Sequence, residues 1–205
     1  MTKILIVGSG GHAKACIDLI ESEGRFEIVG IVGLPEEVGS KILQYEVVYS
    51  DDDLHKLAKQ NACIGVGQVG DASTRKRLYH HLKNLGFQMP SIQAPSSYVS
   101  KHAYVGEGTL IFQGAVVGVN SRIGCNAIIN TKAQVEHDVV VGDHTHISTG
   151  VILNGGVKVG DQTFIGSGSV LRQSIKVGNN ALIGMGSKVI ADVLDGSQYL
   201  NRGLL

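Results

Sequence analysis

From Val99 to Val189 an aliphatic residue stands at every sixth position without interruption, through Val105, Ile111, Val117, Ile123, Ile129, Val135, Val141, Ile147, Leu153, Val159, Ile165, Leu171, Val177 and Ile183. Four places after each stands a small or β-branched residue, as at Ala115, Ser121, Ala127, Thr145 and Val157, and glycine directly follows the aliphatic in eight of the fifteen hexads, Gly106, Gly118, Gly124 and Gly142 among them. A helix needs a period of 3.6 and an ordinary strand pair a period of 2, so neither explains a strict six. The pattern predicts a parallel β-helix of hexapeptide repeats, a prism in which short strands alternate with turns and each aliphatic stacks on its counterpart one coil later. The glycines are expected to supply the backbone freedom the corners need.

In the left-handed hexapeptide folds that this pattern resembles, three hexads make one coil of eighteen residues. The ninety residues from Val99 to Lys188 then give five coils, a prism about 24 Å long at roughly 4.8 Å per strand.

Residues 1–92 read as a separate α/β domain. Lys3 to Val7 is an apolar strand ending in Gly8-Ser9-Gly10-Gly11-His12, after which Ala13, Cys16, Ile17 and Ile20 share one helix face. A strand at Glu27 to Val32, helical segments at Asp51 to Lys59 and Ser73 to Leu85, and a strand at Ala62 to Val66 complete the alternation, which predicts a Rossmann-like parallel sheet. Pro90 and Pro95 mark the passage to the second domain, 93–205.

The 205 residues carry 18 basic and 18 acidic side chains, leaving no net field to recruit nucleic acid. No window approaches eighteen apolar residues, and the start lacks a secretory signal, so a cytoplasmic protein without membrane contact is expected. Cys16, Cys63 and Cys125 are odd in number and lack metal-ligand spacing, as expected of reduced structural thiols.

The loop Gly8-Ser9-Gly10-Gly11-His12-Ala13, between a strand and a helix, suits a phosphate. A dinucleotide site also wants an acid at the end of the second strand, yet Glu36 and Glu37 come only after Pro35, which disfavours NAD. Within the repeat, Glu136-His137-Asp138 pairs an imidazole with a carboxylate, the arrangement of a general base working near pH 7. Arg122, Lys158 and Lys176 occupy one hexad place, a basic column suited to an anion such as a cofactor's phosphates. His137 and His146 are nine residues apart, half a coil, so on one chain they lie on opposite sides of the prism. A site using both must form between subunits, and a homotrimer matches a triangular prism.

Together these features resemble the bacterial sialic acid O-acetyltransferases and nucleotide-amino-sugar N-acetyltransferases. The carriers are Gly8-Ser9-Gly10-Gly11-His12, Ile64-Gly65-Val66-Gly67 with Ser73-Thr74-Arg75, Ile129-Asn130-Thr131, Val135-Glu136-His137-Asp138, His146-Ile147-Ser148 and Leu153-Asn154-Gly155. The resemblance implies that acetyl-CoA is the co-substrate with no metal, that His137 is the base and Asp138 tunes it, and that His146 contacts the acetyl thioester from the adjacent subunit. It implies further that Gly155 lies near the pantetheine arm and that Gly10, Gly11 and His12 approach the acceptor's nucleotide, while the basic column itself marks Lys158 and Lys176 for the cofactor's phosphates. Two departures stand out. The family's acids after the second strand have no counterpart at Val32 and Gly33, and the segment Tyr199 to Leu205 lacks the usual G-x-P-x-K/R element.

The function expected is acetyl transfer to the amine of a nucleotide-linked amino sugar of 4-amino-4,6-dideoxy-hexose type, used for surface glycans. The rival within the same machinery is acetylation of a sialic acid hydroxyl. Rivals outside it are a trimeric β-helix zinc hydratase built on His102, His137 and His144, and a non-catalytic binding protein. His102 and His137 are 35 residues apart, one short of two coils, which takes them out of a single column.

Overall fold

The computed structural model describes residues 1–200; Asn201 to Leu205, and with them most of the chain end noted above, lie outside the described residues. The chain divides into two compact units. One comprises Met1–Gly67 with Thr74–Ile92, and the other Gln68–Ser73 with the chain from Gln93 onward. The short stretch Gln68–Ser73, early in the sequence, thus packs with the late unit.

The first unit is built on β1 (Thr2–Val7), α1 (Gly11–Glu23), β2 (Phe26–Gly33), β3 (Lys41–Ile42), β4 (Tyr45–Ser50), β5 (Asn61–Ile64) and α2 (Ser73–Asn84). The sheet order is β3-β4-β2-β1-β5, parallel except that β3 runs antiparallel to β4. Ile4 to Val7 are all buried, the continuous apolar run expected of a central parallel strand. α1 buries Ala13, Cys16, Ile17, Leu19 and Ile20 and stops at Gly24, whose left-handed backbone turns its N–H onto Ile20 O. The hairpin β3–β4 has no signal in the sequence, because its turn places Leu43 rather than glycine or asparagine at φ 54°. The helical segment expected from Asp51 is a 3₁₀ helix, Asp51–Leu57. Among the described residues no helix is long and apolar enough to cross a membrane.

The second unit is a left-handed parallel β-helix of hexapeptide repeats, in which every strand from Tyr98–Val99 to Lys188–Val189 is a residue pair in register with the pair eighteen residues away, and the closing strand Gln198–Tyr199 pairs with Leu182–Ile183, sixteen away. One face stacks Val99, Val117, Val135, Leu153, Leu171 and Val189; a second Val105, Ile123, Val141, Val159 and Val177; a third Ile111, Ile129, Ile147, Ile165 and Ile183. From Ile111 to Val189 these aliphatics are all buried. The serines and threonines beside them are buried too, and all but Ser187, whose hydroxyl donates to Gly184 O in its own coil, work between coils. Thr145 Oγ1 donates to Gly160 O (2.7 Å) and accepts from Thr163 N (3.1 Å), while Thr163 Oγ1 does the same with Gly178 O and Ala181 N. A buried hydroxyl satisfied on both sides costs little and ties successive coils.

Glycines supply the left-handed backbone at six corners, as expected, but those that directly follow an aliphatic do a different job. Left-handed backbone recurs at every sixth residue from Gly108 to Gly186, three places after each aliphatic, and eight of those fourteen positions are not glycine: Asn120, Asn126, Lys132, Asp138, His144, Gln162, Ser174 and Asn180. The glycines that directly follow an aliphatic have no such backbone. At Gly142 an added Cβ would lie 2.6 Å from Asp161 N and 2.7 Å from Gly160 C. Close approach of the next coil, not conformational freedom, demands glycine there.

Candidate active site

His137 and Asp138 stand on the corner between the Gln134–Val135 strand of the first face and the Val140–Val141 strand of the second. Asp138 takes the left-handed corner position at φ 60°, which aspartate tolerates better than most residues. His137 Nδ1 donates to Asp138 Oδ2 over 2.8 Å, and Asn120 Nδ2 donates to Asp138 Oδ1 over 2.6 Å. Those two bonds, His137 first, hold the Asp138 carboxyl below the usual carboxylate range. Both its oxygens are engaged, so the imidazole is oriented from a fixed acceptor and Nε2 carries the free lone pair. The side chains of His137 and Asp138 remain 62% and 53% exposed. Asn120 was not singled out in the sequence, although it occupies the same hexad place as Asp138 one coil earlier.

Gly155 is the residue one coil beyond His137, and a Cβ there would sit 2.5 Å from His137 Nε2 and 2.6 Å from Cε1. The absence of a side chain at Gly155 therefore makes room for the imidazole of His137. His146 stands elsewhere, in a strand of the third face, opposite the corner that carries His137. It is buried. Its Nδ1 donates to Gln68 O (2.8 Å), its Nε2 accepts from Asn130 Nδ2 (3.1 Å), and its ring meets Phe164 edge-on. Thr131 N on Asn130 Oδ1 fixes that amide's orientation. Both nitrogens of His146 are thus committed within the chain.

Lys158 and Lys176 pair directly across adjacent strands of the second face. They line an open groove of about 600 Å³ near the late end of the prism, together with Asn179, Asp192 and Asp195. Asp192 Oδ1 is taken by Lys176 N, and Asp195 by the backbone and side chain of Asn179, so the carboxylates on this groove serve the backbone. Arg122 belongs to the same column, but Val140 separates it from Lys158.

In the first unit, Gly10 caps α1 without any side-chain hydrogen bond, and no acid stands in the helix's first turn. No side chain therefore caps this helix end, and no carboxylate there repels an anion. A Cβ on Gly10 or Gly11 would meet nothing within 4 Å, and Gly10 has ordinary extended backbone. Neither glycine is required by the fold. Gly8 is: its φ is 110° and a Cβ would lie 2.5 Å from Val66 Cγ2. The His12 side chain packs against Gly67, and its pKa is lowered to about 4 by burial and then by the Arg75 guanidinium, so it is neutral near pH 7.

The end of β2 does not lack an acid, contrary to the sequence-based expectation. A 3₁₀ turn over Pro35–Glu37 brings Glu37 back, and its Oε2 accepts from Ser9 Oγ (2.5 Å) and Leu34 N (2.7 Å). Glycine loop, Glu37, Asp51 and Arg77 line one cavity of about 320 Å³. Among the described residues no group of three or more His, Cys, Asp or Glu side chains is placed to hold a metal ion.

Residues 3–82 match the PglD N-terminal domain family, and residues 156–191 match the bacterial transferase hexapeptide family of six repeats. The chain thus joins a PglD N-terminal domain to bacterial transferase hexapeptide repeats. This acetyltransferase is 29% identical to a histidine-to-asparagine variant of perosamine N-acetyltransferase from Caulobacter crescentus, solved in complex with CoA and GDP-perosamine. The TM-score is 0.90, over 98% of this chain and 94% of that one. It is 28% identical to the acetyltransferase domain of PglB from Neisseria gonorrhoeae FA1090, with a TM-score of 0.89 over 98% and 97%. WeeI from Acinetobacter baumannii AYE, at 24% identity and a TM-score of 0.83, shares the fold. Among curated proteins, the bifunctional protein GlmU of Clostridium botulinum is 23% identical over 141 residues, and the match spans 63% of this chain but 29% of that longer protein.

Proposed function

We propose that the protein transfers the acetyl group of acetyl-CoA to the amine of a nucleotide-linked amino sugar of 4-amino-4,6-dideoxy-hexose type, with His137 as general base. The observation that carries this reading is the bonded set Asn120, Asp138 and His137, with the imidazole seated where Gly155 has no side chain. The thioester supplies the electrophilic carbonyl. Nε2 takes the proton that the amine sheds as the new C–N bond forms, Asp138 stabilises the resulting imidazolium, and the proton then passes to the departing thiolate. No side chain of this chain needs to become acylated.

The remaining assignments follow the same division of labour. The helix amides at Gly10, Gly11 and His12, with Arg77, receive the acceptor's diphosphate. Lys158 and Lys176 attract the phosphates of acetyl-CoA, and the pantetheine arm passes Gly155. The exposure of His137, and the half-coil that separates it from His146, support a homotrimer with the site between subunits. In it, His146 of the partner subunit borders the thioester with its ring edge, because its nitrogens hold Gln68 and Asn130.

Thiol release from acetyl-CoA, measured against nucleotide-linked amino sugars and sialic acids, tests the reaction. Turnover with the amines supports it, whereas turnover restricted to sialic acid hydroxyls would replace it with O-acetylation. Sedimentation is expected to give a trimer, and a fully active monomer would overturn the intersubunit site.

A further inference from the structure

We propose that Glu37 recognises the ribose of the acceptor's nucleoside, so that the protein takes sugars linked to ribonucleotides and discriminates against their 2′-deoxy counterparts. The inference rests on the reading of the first unit as the acceptor domain. It starts from Gly33. A Cβ at that position would lie 2.8 Å from Glu37 Oε2 and 3.1 Å from Ser9 Oγ. The place where a strand-end acid would project from β2 is therefore left empty by glycine and filled by a carboxylate that arrives four residues later. Pro35 begins the turn that returns it, and Leu34 N closes the turn on Oε2.

The chemistry of the returned carboxylate is narrow. Oε2 already accepts two hydrogen bonds, from Ser9 Oγ and Leu34 N, which leaves Oε1 to accept another. With Asp51 lining the same cavity, the Glu37 side repels phosphate, while the helix amides and Arg77 attract it. A nucleoside diphosphate entering the cavity is thereby oriented, its phosphates toward Gly10 and a neutral donor toward Glu37. Glu37 is bonded to Ser9, the immediate neighbour of Gly10. In a nucleoside diphosphate the group next to the phosphate is the ribose, and the base lies farther on. An acid at the end of the second strand commonly accepts the ribose 2′-hydroxyl in sheets of this type.

Calorimetric titration of the full-length protein with UDP, dUDP, GDP and dGDP tests this. The intact protein should bind each ribonucleotide roughly ten- to a hundredfold more tightly than its 2′-deoxy partner, the worth of one hydrogen bond to a charged group. Glu37→Ala should abolish that preference while leaving dUDP and dGDP binding nearly as it was, a pattern that general damage to the loop would not produce. Gly33→Ala, which displaces the carboxylate without removing it, should shrink the preference. Equal binding of ribo- and deoxynucleotides by the intact protein overturns the proposal, as does a preference that survives Glu37→Ala, or a Glu37→Ala effect confined to uracil against guanine. In those cases the acceptor site stands if Gly10→Val still weakens all four ligands. If none of the four binds the intact protein, the acceptor reading falls as well.

Discussion

From Val99 to Val189 a residue's neighbour in the prism is eighteen places away, and the step shortens to sixteen only past the repeat, at Val193 and Gln198; in the α/β unit, the neighbour of Ser9 is Glu37, twenty-eight residues on and out of step with any period. The same contrast divides the glycines. Gly142 and its equivalents are forced by the backbone of the next coil, whereas Gly10 and Gly11 face open space. Glycine in the repeat answers to the fold, and glycine in the loop leaves room for something that is not protein. Gly155 bridges the two cases, since it sits in the repeat but leaves room for the imidazole of His137.

The largest effect expected on either side of this contrast is that of His137→Ala. It should lower turnover by roughly 10²- to 10⁴-fold, the usual worth of a general base, with the melting temperature unchanged because the side chain is exposed. Near-normal turnover would remove His137 as the base. Gly155→Ala should follow at about 10²-fold, the cost of displacing a reacting group by about an ångström. Steady-state kinetics should show that loss in kcat with little change in stability, which would set Gly155 apart from the packing glycines.

His12 probes the first unit through pH. Its folded pKa of about 4 lies below its ordinary 6.5, so the unfolded chain takes up the proton first as pH falls. Stability is therefore complete above pH 6.5 and declines down to about pH 4, by about 3 kcal/mol in all. Urea denaturation between pH 7 and pH 4 should show this slope, and His12→Gln should flatten it. A slope unchanged in the variant would assign the acid sensitivity to other groups.

Next in size is the direct comparison of glycines. Gly142→Ala should destabilise the prism by about 1–3 kcal/mol through overpacking between coils, while Gly10→Val leaves thermal stability alone and raises the KM for the acceptor. Equal melting temperatures for the two variants would erase the distinction. The smallest effect is expected from replacing Lys158 and Lys176 together by alanine, which should weaken acetyl-CoA binding by about 0.2–1 kcal/mol per lysine, a loss that disappears at high salt.

The sequence by itself determined the prism. Its period of six set the core, and the residue pairs eighteen apart fell into register because a repeat converts sequence distance into spatial distance. The same conversion put His137 and His146 on opposite sides, and it would have revealed Asn120 as the partner of Asp138 had the left-handed corner been recognised as the recurring element rather than the glycine before it. Elsewhere local spacing sufficed for β1, α1, β2, β5 and α2, whose apolar patterns are strong, but not for the β3–β4 hairpin, whose turn carries Leu43 at positive φ. Only the tertiary structure decided that His146 would spend both nitrogens on Gln68 and Asn130, and that Glu37 would return to the glycine loop. Those outcomes depend on where a turn points once Gly33 has left space for a side chain from beyond Pro35, and no periodicity encodes the direction of a turn.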